Sequence, residues 1–249
     1  MHRTLLLDGD VFLHRYCHSA SLPYELFDTP GVNLEDAKLM LDSEVQFLMD
    51  TLEGDDVRIA FSDPDDNWRF RVLPTYKASR NKPKPAGYFE LREYARETYK
   101  ARMVPTLEGD DVLGIWATGK GIKGEKIIVS IDKDMKTLPG MWWDPLHPER
   151  GIREFSRAEA DRFHLLQTLM GDAVDEYKGI PGVGPKKAEK ILDEECSWAA
   201  VVRAYESKGL TEEDALQQAR VAHILRVGGF SPRKGVSLWR PTKRYCCYV

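Results

Sequence analysis

Acidic residues recur in this 249-residue chain where apolar runs stop. Thr4-Leu-Leu-Leu ends in Asp8, Val57-Arg-Ile-Ala-Phe-Ser in Asp63, and Lys126-Ile-Ile-Val-Ser-Ile in Asp132. Asp132-Lys-Asp134 carries the third run into a turn, and Glu108-Gly-Asp110-Asp111 follows Arg102-Met-Val-Pro-Thr106. Asp172 and Asp175 close a helical pattern, and their three-residue spacing puts both on one face of a turn. With Asp10 these are ten acids. Gathered at one place they would repel, by about 4 kcal/mol for each pair ~4 Å apart in a partly screened site. Metal ions among them relieve that repulsion. An all-oxygen donor set without paired His or Cys calls for Mg²⁺ or Mn²⁺, not zinc. Two such ions roughly 3.5–4 Å apart can clamp the attacking and leaving oxygens of a phosphodiester. Taken singly, each acid also reads as a turn residue, a helix cap or a first-turn acid on a helix dipole. Their recurrence at every strand end favours the joint reading.

Two further segments suit a polyanion. Asn67-Trp-Arg69-Phe-Arg71 through Tyr76-Lys77-Ala-Ser-Arg80-Asn-Lys82-Pro-Lys84-Pro interleaves bases with aromatics. Arg69, Lys82 and Lys84 can neutralise phosphates, and Tyr76 can stack on an unpaired base. Lys178-Gly179-Ile180-Pro-Gly182-Val-Gly184-Pro-Lys186-Lys187 reads as a glycine hairpin between two helices, with Pro185 at a favoured first helical position. Backbone N–H groups there, with Lys186, Lys187 and Lys190, can hold DNA backbone phosphate without reading a base.

The elements that must position these residues are strands and helices in alternation. The runs at 4–8, 57–63 and 126–132, with a shorter one at 102–106, read as buried parallel strands. Helical periodicity covers 34–53 and 88–102. Capping boxes at Ser156 and Thr211 open helices to about 170 and 227. The expectation is an α/β fold, a mostly parallel central sheet flanked by helices, over 1–155. It carries a basic arch segment at about 76–104. A helical part follows over 156–249, with a helix–hairpin–helix at about 165–195. Ligands of such sheets bind outside the carboxyl ends of the strands, where Asp8, Asp63 and Asp132 arrive.

Composition agrees with a globular chain: 42% apolar and 31% charged, with no low-complexity tract. No apolar run approaches the ~20 residues of a membrane span, and Met1-His-Arg-Thr is no secretory signal, so a cytoplasmic protein without membrane contact is expected. Cys17, Cys196, Cys246 and Cys247 show no metal-finger spacing. The net charge of −4 is segregated: residues 28–66 hold twelve acids against two bases, 69–102 ten bases against three acids, and 220–249 seven bases and no acid. A basic surface for a polyanion beside a separate acidic centre follows.

In order and type these motifs resemble the 5′→3′ exonuclease/flap endonuclease family, most of all the 5′-exonucleases of T-seven-like short-tailed phages. The resemblance rests on Asp8-Gly-Asp10, Asn67-Trp-Arg69, Pro74-Thr-Tyr-Lys-Ala-Ser-Arg80, Glu108-Gly-Asp110-Asp111, Ser130-Ile-Asp-Lys-Asp134, Asp172-x-x-Asp175 and the glycine hairpin. It implies a PIN-like core and a Mg²⁺-dependent nuclease that degrades duplex DNA, and RNA primers in hybrids, from 5′ ends. By that resemblance Asp8, Glu108, Asp110, Asp111, Asp132 and Asp134 hold one ion. Asp132, Asp134, Asp172 and Asp175 shape a second, and Lys77 and Arg80 contact the scissile phosphate. It also implies a K⁺ ion on carbonyls of Gly179, Ile180, Gly182 and Gly184. The family's second acid follows its strand directly, where this chain has Ser62; Asp63 takes the role if the loop shifts by one residue. The short span from Lys77 to Glu108 favours exonucleolysis from duplex ends over a threading gate, and the chain is expected to act as a monomer. A structure-specific flap endonuclease and a silent DNA-binding scaffold remain alternatives.

Overall fold

The computed structural model describes residues 2–22, 31–80 and 83–242. Along the chain come β1 (Arg3–Asp8), α1 (Gly9–Ser19), the short pair β2 (Ser21–Leu22) and β3 (Gly31–Val32), and α2 (Leu34–Thr51). Then follow β4 (Asp56–Phe61), α3 (Tyr88–Thr98), β5 (Arg102–Met103), α4 (Gly109–Thr118), β6 (Glu125–Val129), β7 (Gly140–Trp143) and β8 (Arg153–Phe155). The six main strands form one sheet in the order β5-β4-β1-β6-β7-β8, parallel except for β8. The α/β fold read from the sequence is therefore the observed one.

β1 lies at the centre because both its faces are apolar. Leu5, Leu6 and Leu7 pair with Val57, Arg58 and Ile59 on one side and with Ile127, Ile128 and Val129 on the other. Leu5 and Leu7 pack under α1, α2 and α3 with Phe12, Leu41 and Leu91. Leu6 faces the opposite layer, where α4 contributes Val112 and Leu113. Burial on both faces is why these strands read as continuous apolar runs instead of alternating ones. Parallel pairing also brings the carboxyl ends of β1, β4 and β6 side by side.

α3 is docked, not free-standing: Tyr88, Leu91 and Ala95 are buried in the cluster shared with α1 and α2. β4 stops at Phe61 and β6 at Val129, each short of the acid expected at its end. α1, β7 and β8 carry weaker periodic signals, and the sequence reading did not place them.

The chain switches to helices after β8. α5 (Arg157–Met170), α6 (Pro185–Glu194), α7 (Trp198–Glu206) and α8 (Glu212–Ala222) surround Leu165, Leu169, Leu192, Val201 and Tyr205. Ser156 and Thr211 cap α5 and α8 through reciprocal boxes with Glu159 and Asp214. α8 ends at Ala222 instead of about 227, since His223 is extended and the chain turns back to bury Ile224 and Leu225 against α4. A hairpin of β9 (Phe230–Ser231) and β10 (Gly235–Val236) follows on that face. Among the described residues no helix is long and apolar enough to cross a membrane.

His164 sits inside the helical layer, 5.0 Å from the Trp239 ring and 5.2 Å from the His223 ring. Its Nε2 donates to the Ala219 carbonyl at 2.7 Å. Burial first, with the nearby Arg226 charge, brings its pKa down from 6.5 to about 4. The unfolded chain therefore takes a proton as pH falls through 6.5, while the native protein does not until about 4. Stability is full above 6.5 and is lost below it. We expect wild type to lose about 2 kcal/mol more than His164→Gln between pH 7 and pH 5. Urea titrations at the two pH values measure the difference; equal losses would remove His164 from the account.

Candidate active site

The sheet edge collects carboxylates from the end of β1, the turn after β6, the start of α4 and the turn after α5. Asp8, the last residue of β1, is buried and accepts a hydrogen bond from Ser130 Oγ at 3.1 Å. Burial first, then the charges of Asp10 and Asp132, push its carboxyl up to about 7. Asp132 caps a short 3₁₀ helix, Lys133–Thr137, and accepts from the Asp134 N–H at 2.8 Å. Asp134 accepts from Gln167 Nε2 at 2.6 Å. It too is pushed up to about 7, by burial and then by Asp132, with Lys133 opposing.

α4 opens beside them. Burial and then the charges of Asp8, Asp132 and Glu108 raise Asp110 well above the carboxylate range. Glu108, two residues earlier, behaves oppositely. Burial alone would raise it, but Lys77 and then Arg69 hold it down to about 2. Lys77 Nζ donates to Glu108 Oε1 at 2.6 Å and lies 3.5 Å from Asp175 Oδ2. Arg80 donates to Asp175 Oδ1 at 2.9 Å. Lys77 has φ of +50°, and its N–H is pinned to the Asp175 carbonyl at 3.1 Å. Asp172 accepts from Val174 and Asp175 N–H groups and from Lys133 Nζ at 2.6 Å. Asp8, Asp110, Asp132 and Asp134 are thus mutually repelling acids, ringed by Glu108, Asp172 and Asp175, which hold the chain's own cations. Among the described residues no three of these groups stand close enough to form a ready-made metal cage.

Four sequence expectations are corrected. Asp111 is not among the metal-facing acids. It is fully buried, and its carboxylate takes two Arg69 bonds at 2.8 and 2.9 Å, the Trp68 indole N–H at 2.9 Å and the Leu225 N–H at 3.0 Å. Arg69 is 2% exposed and cannot meet DNA. Tyr76, also 2% exposed, offers no face for a base; its one O–H is shared between the Glu108 and Asp175 carboxylates, each 3.0 Å from its oxygen. Asp63 stands apart, accepting from Asp65 and Thr106 N–H groups. Ser62 holds the position after β4. Its N–H donates to Asp10 Oδ2 at 2.9 Å and its Oγ accepts from Gly109 N–H at 2.9 Å. Lys82 lies outside the described residues. Ser130 and Lys133 enter the site from the Ser130-Ile-Asp-Lys-Asp134 motif, whereas Gln167 comes from α5, 33 positions beyond Asp134, with nothing local to announce it.

The glycine hairpin lies between α5 and α6. Gly179 has φ of +58°, and a Cβ there would meet the Gly171 nitrogen at 2.2 Å, so only glycine fits. Gly182, Gly184, Lys186 and Lys187 are exposed. Three of the carbonyls considered for K⁺ are engaged: Gly182 accepts from Lys187 Nζ at 2.8 Å, Ile180 from the Val183 N–H at 3.1 Å, and Gly184 from the Lys187 and Ala188 N–H groups at 3.1 and 3.0 Å. Lys84 stands at the sheet edge near Asp10, 3.9 Å from its Oδ1.

The model of the 5′-3′ exonuclease N-terminal, resolvase-like domain matches residues 3–143, and that of a SAM-like helix–hairpin–helix tandem matches residues 174–238. The exonuclease of Escherichia phage T7 is 34% identical over 227 residues, 76% of this chain and 75% of that protein. The flap endonuclease Xni of Shewanella oneidensis is 29% identical over 235 residues, 88% of this chain and 85% of its own. The zinc-bound 5′-exonuclease of phage T5 shares the fold, with a TM-score of 0.69 at 16% identity over 89% of each chain.

Neighbouring acids on α4 should respond oppositely to neutralisation. Asp110→Asn removes a repelled charge and should raise the melting temperature of metal-free protein. Asp111→Ala strands the buried Arg69 guanidinium and should cost about 3–5 kcal/mol. Thermal and urea unfolding of the two variants in chelator check this; equal effects would contradict the assignment.

Proposed function

The chain belongs to the 5′→3′ exonuclease family, and from that premise we propose that it is a divalent-metal-dependent nuclease that hydrolyses duplex DNA stepwise from 5′ ends. The observation that carries the reading is the set of mutually repelling carboxylates Asp8, which is buried, and Asp110 and Asp132, which are half-buried, with Lys77 and Arg80 beside them. A hydrolase of neutral small molecules has no use for both charges at once.

The donors suit Mg²⁺ or Mn²⁺, since they are carboxylate oxygens only. Asp8, Glu108, Asp110 and Asp132 would hold one ion, and Asp134, Asp172 and Asp175 would shape the second with Asp132. Bound there, the pair would supply a hydroxide nucleophile and neutralise the leaving oxygen. The chain's own groups do the rest. Burial alone would lower the Lys77 ammonium, but Glu108 and then Asp175 raise it, so it stays charged. It is placed to donate to a non-bridging phosphate oxygen, with Arg80 as a second donor. Ser130 Oγ orients Asp8, and Gln167 orients Asp134. Behind the cut, exposed N–H groups and lysines around Gly182–Lys187 hold the duplex backbone without reading bases. Duplexes of any sequence, and the RNA strand of a hybrid, fall within this reading, with the chain acting as a monomer. The docking of α3 on α1 and α2 supports ends over threaded flaps.

A duplex labelled at one 5′ end tests it. Labelled mono- or short oligonucleotides should appear with Mg²⁺ and not with EDTA. Asp132→Ala and Asp134→Ala should each lower the rate by at least about 100-fold while metal-free protein still unfolds cooperatively. Near-wild-type cleavage in either variant would defeat the site assignment. Release from flapped substrates alone would favour the flap endonuclease, and DNA binding without cleavage the silent scaffold.

A further inference from the structure

One wall of the sheet edge is not used by the carboxylate chemistry. Asp10, His14 and His18 follow at four-residue spacing along α1, on one helical face. Lys84, from the segment before α3, leans over them. Its ammonium is 3.3 Å from His14 Nε2, 3.9 Å from Asp10 Oδ1 and 4.5 Å above the Tyr88 ring. The His14 ring is 5.2 Å from the Tyr88 ring.

Lys84 is the least committed cation of this edge. Lys77, Arg80 and Lys133 each touch a carboxylate oxygen within 2.6 to 2.9 Å. Lys84 only grazes Asp10, whose oxygens already accept from the Tyr88 hydroxyl and the Ser62 N–H. Its side chain is 29% exposed. An ammonium has three donors, and one directed at His14 leaves two for a ligand. His14 is half-buried beside that ammonium; burial and then the Lys84 charge lower its pKa, so the two bases gain from an anion between them.

We propose that Lys84 and His14 form a subsite for a phosphate on the 5′ side of the cut bond. The inference rests on the exonuclease reading above. Lys77 and Arg80 serve Glu108 and Asp175, while Lys84 stands beside Asp10, two residues after Asp8. Two separate cation groups thus border the carboxylates, one for the cut phosphate and one for its neighbour. The neighbour is either a terminal phosphomonoester or a phosphodiester of an unpaired 5′ extension; both offer the same oxygens.

Three substrates separate these sources: a blunt duplex with a 5′-phosphate, the same with a 5′-hydroxyl, and a duplex with a short 5′-hydroxyl flap. Steady-state kinetics are measured for wild type, Lys84→Met and His14→Gln. If the terminal phosphate binds, wild type prefers the phosphorylated end by about tenfold, the size of one charge-assisted hydrogen bond. Both variants then bring that ratio near one, through KM and not kcat. If an extension binds, blunt ends are cut alike and both variants raise KM for the flap alone; this also supports the subsite. Equal losses on all three substrates, losses in kcat alone, or no change would overturn it. Wild type that binds DNA but cuts none of the three would overturn the nuclease reading and the subsite with it.

Discussion

A single buried guanidinium ties the carboxylate site to the rest of the molecule. Arg69 donates to Asp111 twice, to the Val221 and His223 carbonyls at 2.9 Å each, and pairs with Glu108 at 2.9 Å. Its partners come from the start of α4 and from the exit of α8. A guanidinium taken out of water needs nearly all its donors engaged. Here that requirement can be met only when the sheet layer and the helical layer are in register. Glu108 is consequently placed by a residue that never meets solvent, and Tyr76 and Lys77 are placed by Glu108.

The same four-residue stretch shows how environment, not residue type, assigns roles. Glu108, Asp110 and Asp111 lie on the first turn of one helix. Glu108 meets two cations and stays ionised to about pH 2. Asp111 points into the core and is consumed by Arg69. Asp110, with Asp8 and Asp132 as neighbours, resists ionisation. A helix turn rotates successive side chains by roughly 100°, so adjacent acids necessarily enter different surroundings. One acid pattern thereby supplies an acid held by the chain's own cations, one poised for an added cation and one buried for structure.

The parts of this legible from sequence were those set by local pattern. The strands β1, β4 and β6, the boxes capping α5 and α8, the glycine hairpin and most strand-end acids follow from periodicity and turn chemistry. Most of the misreadings come from partners far away in sequence. Trp68-Arg69-Phe70-Arg71 alternates aromatic and basic residues, as an exposed nucleic-acid surface does. Yet the Arg69 partners lie 42 and 152 positions away, and nothing local announces them. Tyr76 is buried for the same reason. Asp63 misleads differently: β4 ends one residue sooner than its apolar run, Ser62 takes the inward bonds, and Asp63 folds its oxygens onto nearby N–H groups. α1 escaped notice because its buried side, Phe12, Leu13, Tyr16 and Cys17, is narrow beside its polar face.

A centre with this chemistry has to manage charge of both signs before any substrate arrives. The arrangement does so with paired lysines and arginines instead of uniform neutral burial. Lys77 and Arg80 sit on Glu108 and Asp175, and Lys133 on Asp172, at contact distance. Asp8, Asp110 and Asp134 have no cation in contact among the described salt bridges, and their carboxyls are pushed upward; Asp175 is raised as well, by burial, in spite of Lys77 and Arg80. On the side of Asp8, Asp110 and Asp134 an added cation therefore gains most. Any positive charge brought to that side loosens the hold of the acids on Lys77 and Arg80. The same two side chains are then freer to turn to phosphate, so occupancy of the carboxylates and grip on the substrate are linked by electrostatics alone.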